Sequence, residues 1–346
     1  MRAAMRMKRA WIIGCLLLAV IACQGCKKQQ EEPESTLLYE DEIEDSDNYI
    51  VVGFAQVGSE SDWRLANTQS FRDTFREDKG YYLLFEDGQQ KQENQIKAIR
   101  NFILQEVDYI ILDPIVETGW DAVLQEAKVA GIPVILSDRL VEVEDSSLYT
   151  CWVGSDFEEE GRIAGRWLKA YLEEEGRADE EIRIVTLQGT LDSSAQIGRT
   201  VGFDKILRQQ ENWTMLDRGS GDFTLTKGRE VMESFLDLYD DIDVVVCEND
   251  NMAFGAIEAI RAAGKTCGPS GEIIMISIDG TRAALDAMAE GEIHMVMECN
   301  PLLGPMVEEI IQRLERGEEV ERVQYVEEQY FDASMDLERI MESRTY

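Results

Sequence analysis

The stretch YIILDPIVETGWDAVLQEAKVAGIPVILSD, residues 109–138, contains a strand–helix–strand unit. Its two ends, YIILDP (109–114) and PVILSD (133–138), are apolar at successive positions. Such runs are typical of strands that helices cover on both faces. Between them, Thr118 to Ala130 is long enough for a crossover helix. The unit therefore predicts a parallel sheet in an α/β fold.

The same alternation extends in both directions along the chain. Upstream, the strands YIVVGFAQ (49–56) and YYLLFED (81–87) alternate with helices predicted at Trp63 to Arg76 and Gln90 to Gln105. The pattern pauses at LYTCWVG (148–154) and resumes with a helix from Glu158 to Glu174. Four further strands then alternate with helices: IRIVTLQG, TMLDRGSG, VVVCEN and IIMISIDG. Two successive runs predict two doubly wound parallel-sheet lobes, with a single eight-fold barrel as the alternative.

Composition excludes several classes of function. The 346 residues are 44% hydrophobic and 30% charged, which suits two globular units and is too polar for a polytopic membrane protein. A net charge of −35 repels phosphate backbones, so we expect no nucleic-acid partner. A single histidine and seven cysteines argue against a metal site, a histidine base or a disulfide scaffold. We expect no cofactor.

The first residues predict export and lipidation. A basic segment is followed by the apolar run Trp11 to Ala22, which is shorter than the roughly 20 residues of a membrane helix. The run ends in a small residue before Cys23, as in a bacterial lipobox. We therefore predict a lipoprotein signal peptide over residues 1–22 and lipidation of Cys23, with Cys26 as the alternative. A short uncleaved anchor remains open, and either case places the body outside the cytoplasmic membrane.

Residues 23–48 are predicted to be an acidic flexible tether. From Glu31 to Asn48 the carboxylates are unrelieved by any basic residue, so self-repulsion extends the chain. A calcium site is the alternative, but neither EF-hand spacing nor a turn glycine is present.

Polar side chains follow the predicted strands. In open α/β sheets, ligands bind at the carboxyl ends of the strands. The residues that this rule selects are Glu60 to Arg64, Asp87, Asp113, Asp138, Arg139, Asn249, Asp250 and Asp279, with Arg199 early in a following helix. Carboxylates, amides and guanidinium groups beside the indole of Trp63 suit a sugar, whose hydroxyls need hydrogen bonds and whose C–H face needs a flat apolar surface.

Purely structural roles are the alternatives for these residues. Asp87, Asp113 and Asn249 could cap helices, and Trp63 could anchor its helix to the core. Asp138 and Arg139 could form a self-satisfied ion pair. His294 is predicted to be structural. The thiols of the body could be free or paired, and the sequence does not choose among Cys151, Cys247, Cys267 and Cys299.

Several blocks together resemble one family. GFAQVGSESDWRLANT (53–68), DGQQKQENQIKAIRNFI (87–103) and GIPVILSDR (131–139) occur in the order found in the sugar-binding proteins of bacterial ABC importers. The likeness, to the ribose and galactofuranose-binding branch of the type 1 periplasmic-binding fold, runs from about Val51 to about Pro305. It implies two lobes joined by a three-strand hinge. The lobes would be residues 49–151 with 299–326 and residues 152–298 with 327–346.

The resemblance also implies a set of ligand-binding residues. Glu60, Ser61, Trp63 and Arg64 match the binding loop of the family, with the indole as a stacking platform. The other matching positions are Asp138, Arg139, Arg199, Asn249 and Asp279. Asp62 and Glu248 depart from the family pattern, which has glycine and histidine there, and are expected to add carboxylate near the pocket.

The expected function is therefore capture of a monosaccharide, galactofuranose-like or a related pentose or hexose, and its delivery to an ABC importer. The partners expected are the sugar, the permease and, through the lipid anchor, the membrane; a monomer is expected. A sensor subunit that presents sugar to a membrane histidine kinase or chemoreceptor is the alternative. A glycoside-acting enzyme would need two carboxylates at a defined separation, such as Asp138 and Asp279. Nucleotide-binding and hydrolase motifs are missing from the sequence, so no catalytic residue is predicted.

Overall fold

The computed structural model describes residues 49–346, which form two six-stranded sheets. The predicted signal peptide (1–22), the candidate lipidation sites Cys23 and Cys26 and the acidic tether (23–48) lie outside the described residues. Within residues 49–346, helices with the length and apolar character needed to cross a membrane are absent.

The first sheet is parallel throughout. Its strands are β1 (Ile50–Gln56), β2 (Tyr81–Asp87), β3 (Tyr109–Leu112), β4 (Val134–Ser137), β5 (Cys151–Gly154) and β11 (Val323–Tyr325). They lie in the order β11–β5–β4–β3–β1–β2. The central strands are buried along their whole length, which explains why their sequences are continuously apolar.

Helices cover both faces of the first sheet. They are α1 (Asp62–Thr74), α2 (Gln92–Leu104), α3 (Asp121–Ala130) and α9 (Gly304–Glu315). Phe102 of α2 and Trp120 belong to one apolar cluster, whereas Phe71 of α1 and Ile310 of α9 belong to another. Alternate residues of a strand point to opposite faces, so Ile110 joins the first cluster and Ile111 the second.

The second sheet is parallel except at one edge. Its strands are β6 (Ile182–Gln188), β7 (Trp213–Ser220), β8 (Val244–Cys247), β9 (Ile274–Asp279), β10 (Met295–Glu298) and β12 (Tyr330–Asp332). Their order is β12–β10–β9–β8–β6–β7, and β12 pairs antiparallel with β10. The accompanying helices are α4 (Phe157–Glu174), α5 (Ser194–Leu207), α6 (Leu225–Leu238), α7 (Asp250–Ala262), α8 (Arg282–Ala289) and α10 (Leu337–Ser343).

Helices α4 and α5 approach each other at glycines. A Cβ atom on Gly161 would lie 2.1 Å from the carbonyl oxygen of Arg199, and one on Gly202 would lie 2.0 Å from that of Glu158. Both distances are far below van der Waals contact, so only glycine permits this separation. The close approach places Glu160 of α4 beside Arg199 of α5.

The chain passes between the two sheets in three segments: residues 155–156, 299–303 and 326–329. Two sheets with accompanying helices confirm the predicted fold class, and the single-barrel alternative is wrong. The predicted lobe boundaries stay a prediction. The chain ends against the second sheet, where Arg282 N donates to the carbonyl oxygen of Tyr346 at 2.6 Å and Arg344 Nη1 to Glu298 Oε1 at 2.6 Å.

Candidate functional site

Strand ends of both sheets meet around a cavity that encloses about 280 Å³ of space, part of it open to solvent. The structure brings all nine predicted site residues to its wall: Glu60, Ser61, Trp63, Arg64, Asp138, Arg139, Arg199, Asn249 and Asp279. Ala195, Phe223 and Cys299 also line it, and none of these was selected from the sequence.

Arg64 organises the wall on the side of the first sheet. Ser61 caps α1 by accepting from Arg64 N at 3.1 Å. The guanidinium then donates to three carboxylates: Glu60 at 3.1 Å, Asp113 at 3.0 Å and Asp138 at 2.6 Å. Asp113 is therefore no helix cap. Burial raises the pKa of Asp113 to about 8, against the opposing effect of Arg64.

Asp138 pairs with Arg64 rather than with Arg139. The Arg139 Nε atom lies 3.8 Å from Asp138 Oδ2, which is too far for a hydrogen bond. Arg139 instead donates from Nη1 to the carbonyl oxygen of Ile115 at 3.1 Å. The charges of Asp138 and Arg139 still attract at this distance, but the two side chains do not satisfy each other, so the self-satisfied ion pair is wrong. Burial lowers the pKa of Arg139, and the neighbouring Arg64 adds to this effect.

Arg199 organises the opposite wall. Its Nε donates to Glu160 Oε2 at 2.7 Å and its Nη1 to the carbonyl oxygen of Glu248 at 2.5 Å. Its Nη2 lies 3.9 Å from Asp279 Oδ1, a distance at which the charges attract without a hydrogen bond. Burial raises the pKa of Glu160 although Arg199 opposes the shift. Each guanidinium therefore orients carboxylates of its own lobe.

Three polar atoms of the cavity wall are buried without a hydrogen-bond partner among the described residues: Glu60 Oε2, Arg139 Nε and Asp279 Oδ2. Such atoms are costly unless a ligand or water satisfies them. Both aspartates in the wall also have left-handed backbone, with φ of 59° at Asp138 and 133° at Asp279. Backbone strain of this kind is concentrated at functional sites. The three unpartnered atoms of the wall provide two acceptors and one donor for a polyhydroxylated ligand.

Two aromatic rings flank these polar atoms. Trp63 is held by its Nε1, which donates to the carbonyl oxygen of Cys299 at 2.6 Å, and Arg64 lies over its ring at 4.7 Å. Phe223 lies under both Arg139, at 5.1 Å, and Arg199, at 5.8 Å. Its ring thus contacts guanidinium groups from both lobes. Phe223 was missed because the strand-end rule was applied to polar residues, although it follows β7 closely.

Asn249 caps a helix, which is its structural alternative, and also lines the cavity. Its Oδ1 caps α7 by accepting from Met252 N at 2.9 Å, and its Nδ2 donates to the carbonyl oxygen of Phe223 at 3.1 Å. It therefore holds the aromatic wall while lining the cavity.

The two departures from the family pattern, Asp62 and Glu248, do not line the cavity themselves, although their sequence neighbours Ser61, Trp63 and Asn249 do. Asp62 contacts Asn251 across the lobes: its N donates to Asn251 Oδ1 at 3.0 Å and its Oδ2 accepts from Asn251 Nδ2 at 3.3 Å. Glu248 accepts from Thr200 Oγ1 at 2.6 Å and from Gly189 N at 2.8 Å, and burial raises its pKa to about 7.

The model for the periplasmic binding protein domain matches residues 52–318. The chain belongs to the periplasmic binding protein family. This confirms the resemblance read from the sequence, and the two-sheet architecture is that of the type 1 fold.

Several proteins similar to this chain are named for, or bound to, a sugar. The galactofuranose-binding protein YtfQ of Escherichia coli is 44% identical over 260 residues, which are 74% of this chain and 79% of the relative. A structure from Mycobacterium smegmatis in complex with β-D-fucofuranose is 42% identical, with a TM-score of 0.81 over 86% of this chain and 95% of the other. The binding component of the arabinose ABC transporter from Shewanella sp. ANA-3, bound to L-arabinofuranose, is 38% identical, with a TM-score of 0.79 over 85% and 95% of the chains.

Four cysteines lie within residues 49–346. Cys151, Cys247, Cys267 and Cys299 are free thiols. Cys299 is the member of this set that lines the cavity, and burial raises the pKa of its thiol well above the ordinary value. His294 is structural, as predicted, because it is buried and its Nδ1 accepts from Met275 N at 3.1 Å.

Proposed function

We propose that this chain captures a monosaccharide in its furanose form between two closing lobes and delivers it to an ABC importer. The observation that carries the proposal is the set of buried, unpartnered atoms Glu60 Oε2, Arg139 Nε and Asp279 Oδ2 between two aromatic rings. A sugar hydroxyl both donates and accepts, so it can satisfy carboxylate and guanidinium groups together. The rings of Trp63 and Phe223 suit its C–H faces.

The sugars of the relatives support recognition of a furanose ring by this chain. The three relatives bind galactofuranose, β-D-fucofuranose and L-arabinofuranose, and each is at least 38% identical to this chain. These sugars share a five-membered ring and differ in the substituents outside it. We infer that the ring form is the common element of recognition, and that hydroxyl-binding residues such as Asp279 set the choice among furanoses.

Contacts between the lobes support a closing mechanism. Glu117 N donates to the carbonyl oxygen of Asp192 at 2.9 Å, and Leu140 N donates to Ser194 Oγ at 2.8 Å. Each pair joins a residue of the first-sheet lobe to a residue of the second-sheet lobe. A ligand that contacts both walls favours the closed arrangement by its differential affinity for it.

Calorimetry of the full chain against a panel of sugars tests this function. The panel contains galactofuranose, L-arabinose, D-galactose, D-ribose and D-fructose. We expect saturable 1:1 binding of at least one sugar that forms furanoses. Asp279→Asn should weaken the best sugar about ten- to hundredfold, because it replaces a buried charge-assisted acceptor.

Asp87→Asn is the matched control, because Asp87 also ends a strand but is exposed and does not line the cavity. Its affinity should equal that of the unmodified protein. If no sugar of the panel binds, or if Asp279→Asn and Asp87→Asn bind the best sugar equally, this site does not recognise sugars.

We also propose that the mature protein is a monomer anchored by lipid at Cys23 to the outer face of the cell membrane. The basic segment, the short apolar run and the small residue before Cys23 support this location. Mass spectrometry of the native N-terminus should find a diacylglyceryl cysteine at position 23. An intact Met1 terminus would refute the anchor.

A further inference from the structure

The three segments that cross between the sheets meet at one carboxylate. Glu328, in the third crossing, accepts from Ser155 Oγ of the first crossing at 2.6 Å. The same oxygen, Oε1, accepts from Asn300 N of the second crossing at 2.7 Å. Cys299, beside Asn300, places its Sγ 3.3 Å from Ser155 Oγ. The hinge therefore contains a thiol and a carboxylate side by side.

A second carboxylate completes a set of three donors. One ligand atom each of Glu160, Cys299 and Glu328 lies within 4.8 Å of the other two. Ligand atoms of a tetrahedral zinc centre are about 3.3 to 3.8 Å apart, as follows from metal–ligand bonds of about 2.0 to 2.3 Å. Side-chain adjustments of an ångström or less would bring the three atoms to this spacing.

Glu160 provides an independent indication of a missing ligand. Its Oε2 accepts from Arg199, whereas its Oε1 is buried without a nitrogen or oxygen donor among residues 49–346 and has the Cys299 thiol beside it. The side chain is 1% exposed, so bulk solvent does not satisfy this oxygen. A buried carboxylate oxygen without a donor is strongly unfavourable, and a cation would remove that cost.

Arg199 is the cationic side chain in contact with this cluster. Its Nε donates to Glu160 Oε2 at 2.7 Å, and its Nη2 lies 3.9 Å from Asp279 Oδ1 in the same lobe.

We propose that Glu160, Cys299 and Glu328 form a hinge site for a thiophilic divalent cation of the Zn²⁺ type. One sulfur and two carboxylates suit a borderline-soft ion, whereas Ca²⁺ takes six to eight oxygen ligands and Mg²⁺ an octahedral oxygen shell. On binding, the thiol releases its proton to solvent as the metal–sulfur bond forms. The sugar cavity gives access, because Cys299 lies in its wall. Glu160 then connects the metal to Arg199, so cation and ligand affinities are linked.

Metal titration of the full chain without sugar tests the site independently of the proposed function. Calorimetry with Zn²⁺, and absorbance of the cadmium–thiolate charge transfer with Cd²⁺, should each report one equivalent that Cys299→Ser removes. Cys267→Ser is the matched control, because this thiol is half-buried and outside the donor set, and it should retain that equivalent.

Glu328→Gln provides a second variant, because its amide oxygen still accepts from Ser155 and Asn300 while a charged ligand is lost. It should weaken Zn²⁺ at least tenfold. Circular dichroism checks that both variants are folded. Equal Zn²⁺ binding by the unmodified chain, Cys299→Ser and Glu328→Gln would overturn the proposal. So would a lack of cadmium–thiolate absorbance that depends on Cys299, or tighter binding of Ca²⁺ than of Zn²⁺ at this site.

Discussion

Arg64 is surrounded by the carboxylates of Glu60, Asp113 and Asp138, and all four side chains are buried. Burial alone would lower the pKa of Arg64, but the three neighbouring charges outweigh it and raise the pKa. The guanidinium has donors to all three carboxylates, so its main role is to hold Glu60 and Asp138 in position.

Replacing Arg64 should destabilise the fold as well as the site. Arg64→Ala leaves buried carboxylates without their cation, so the free energy of unfolding should fall by about 3 to 5 kcal/mol. Chemical denaturation measures this loss. Arg100→Ala is the control, because the Arg100–Glu126 pair is exposed to solvent and should contribute little to stability. Similar losses in the two variants would contradict the organising role of Arg64.

Phe223 should contribute to affinity through the two guanidinium groups above its ring. Phe223→Leu keeps an apolar side chain but removes the aromatic face, and cation–π contacts are worth about 0.5 to 2 kcal/mol each. We expect affinity for the best sugar to fall about five- to thirtyfold in calorimetry. Phe254→Leu, in α7 and away from the cavity, should leave it unchanged. An unchanged affinity in Phe223→Leu would mean that this ring only fills space.

At the level of secondary structure, the features that depend on local sequence patterns were predictable. The apolar runs gave the central strands, and the strand-end rule gave polar residues that do line the cavity. Pairing partners were not predictable, because Arg64 and Asp138 are 74 positions apart and several carboxylates compete for each guanidinium. Strand β12, with three residues, is too short to show a period, so its antiparallel pairing also required the structure.

The α4–α5 contact depends on glycine. In Gly202→Ala the new Cβ would overlap the carbonyl oxygen of Glu158, so the helices must separate or bend. Overpacking of this kind costs about 1 to 3 kcal/mol. The same movement draws Glu160 away from Arg199, so we expect a lower free energy of unfolding together with weaker sugar binding. Thermal denaturation and calorimetry measure the two effects, and a loss in neither would show that the contact yields without cost.

His294, next to β10, accepts a hydrogen bond from Met275 of β9, and its protonation makes the stability of the fold depend on pH. Burial lowers its pKa to about 4, and Arg177 adds to the shift. Between about pH 6.5 and pH 4 the unfolded chain binds a proton that the folded chain does not. The contribution of neutral His294 to the free energy of unfolding is therefore fully present above about pH 6.5, and it is lost as the pH falls toward 4.

Because the chain has one histidine, its imidazole gives an unambiguous NMR titration. We expect a midpoint near pH 4 in the folded protein, and a flatter dependence of stability on pH in His294→Gln. A midpoint near 6.5 would show that the ring is solvated.

On the scale of the whole molecule, contacts between the lobes should control affinity without controlling folding. Asn251→Ala removes both hydrogen bonds to Asp62, which join the lobes only when these meet. Each bond contributes about 0.5 to 1.5 kcal/mol, so sugar affinity should fall about three- to thirtyfold. Thermal stability without sugar should stay the same.

Calorimetry and small-angle scattering at sugar saturation test this prediction. Asn101→Ala, an exposed asparagine on α2, is the control and should alter neither affinity nor the saturated radius. If Asn251→Ala binds sugar as tightly as the control does, the Asp62–Asn251 contact plays no part in closure.

The position of the chain end offers a practical consequence. Tyr346 is hydrogen-bonded to the second-sheet lobe, whereas Tyr49 leads directly into β1 of the first-sheet lobe. Dyes attached at Tyr49 and Tyr346 would lie on different lobes of the molecule. Opening and closing would then change the efficiency of energy transfer between them, and the binding protein would serve as its own optical sensor for the sugar that it carries.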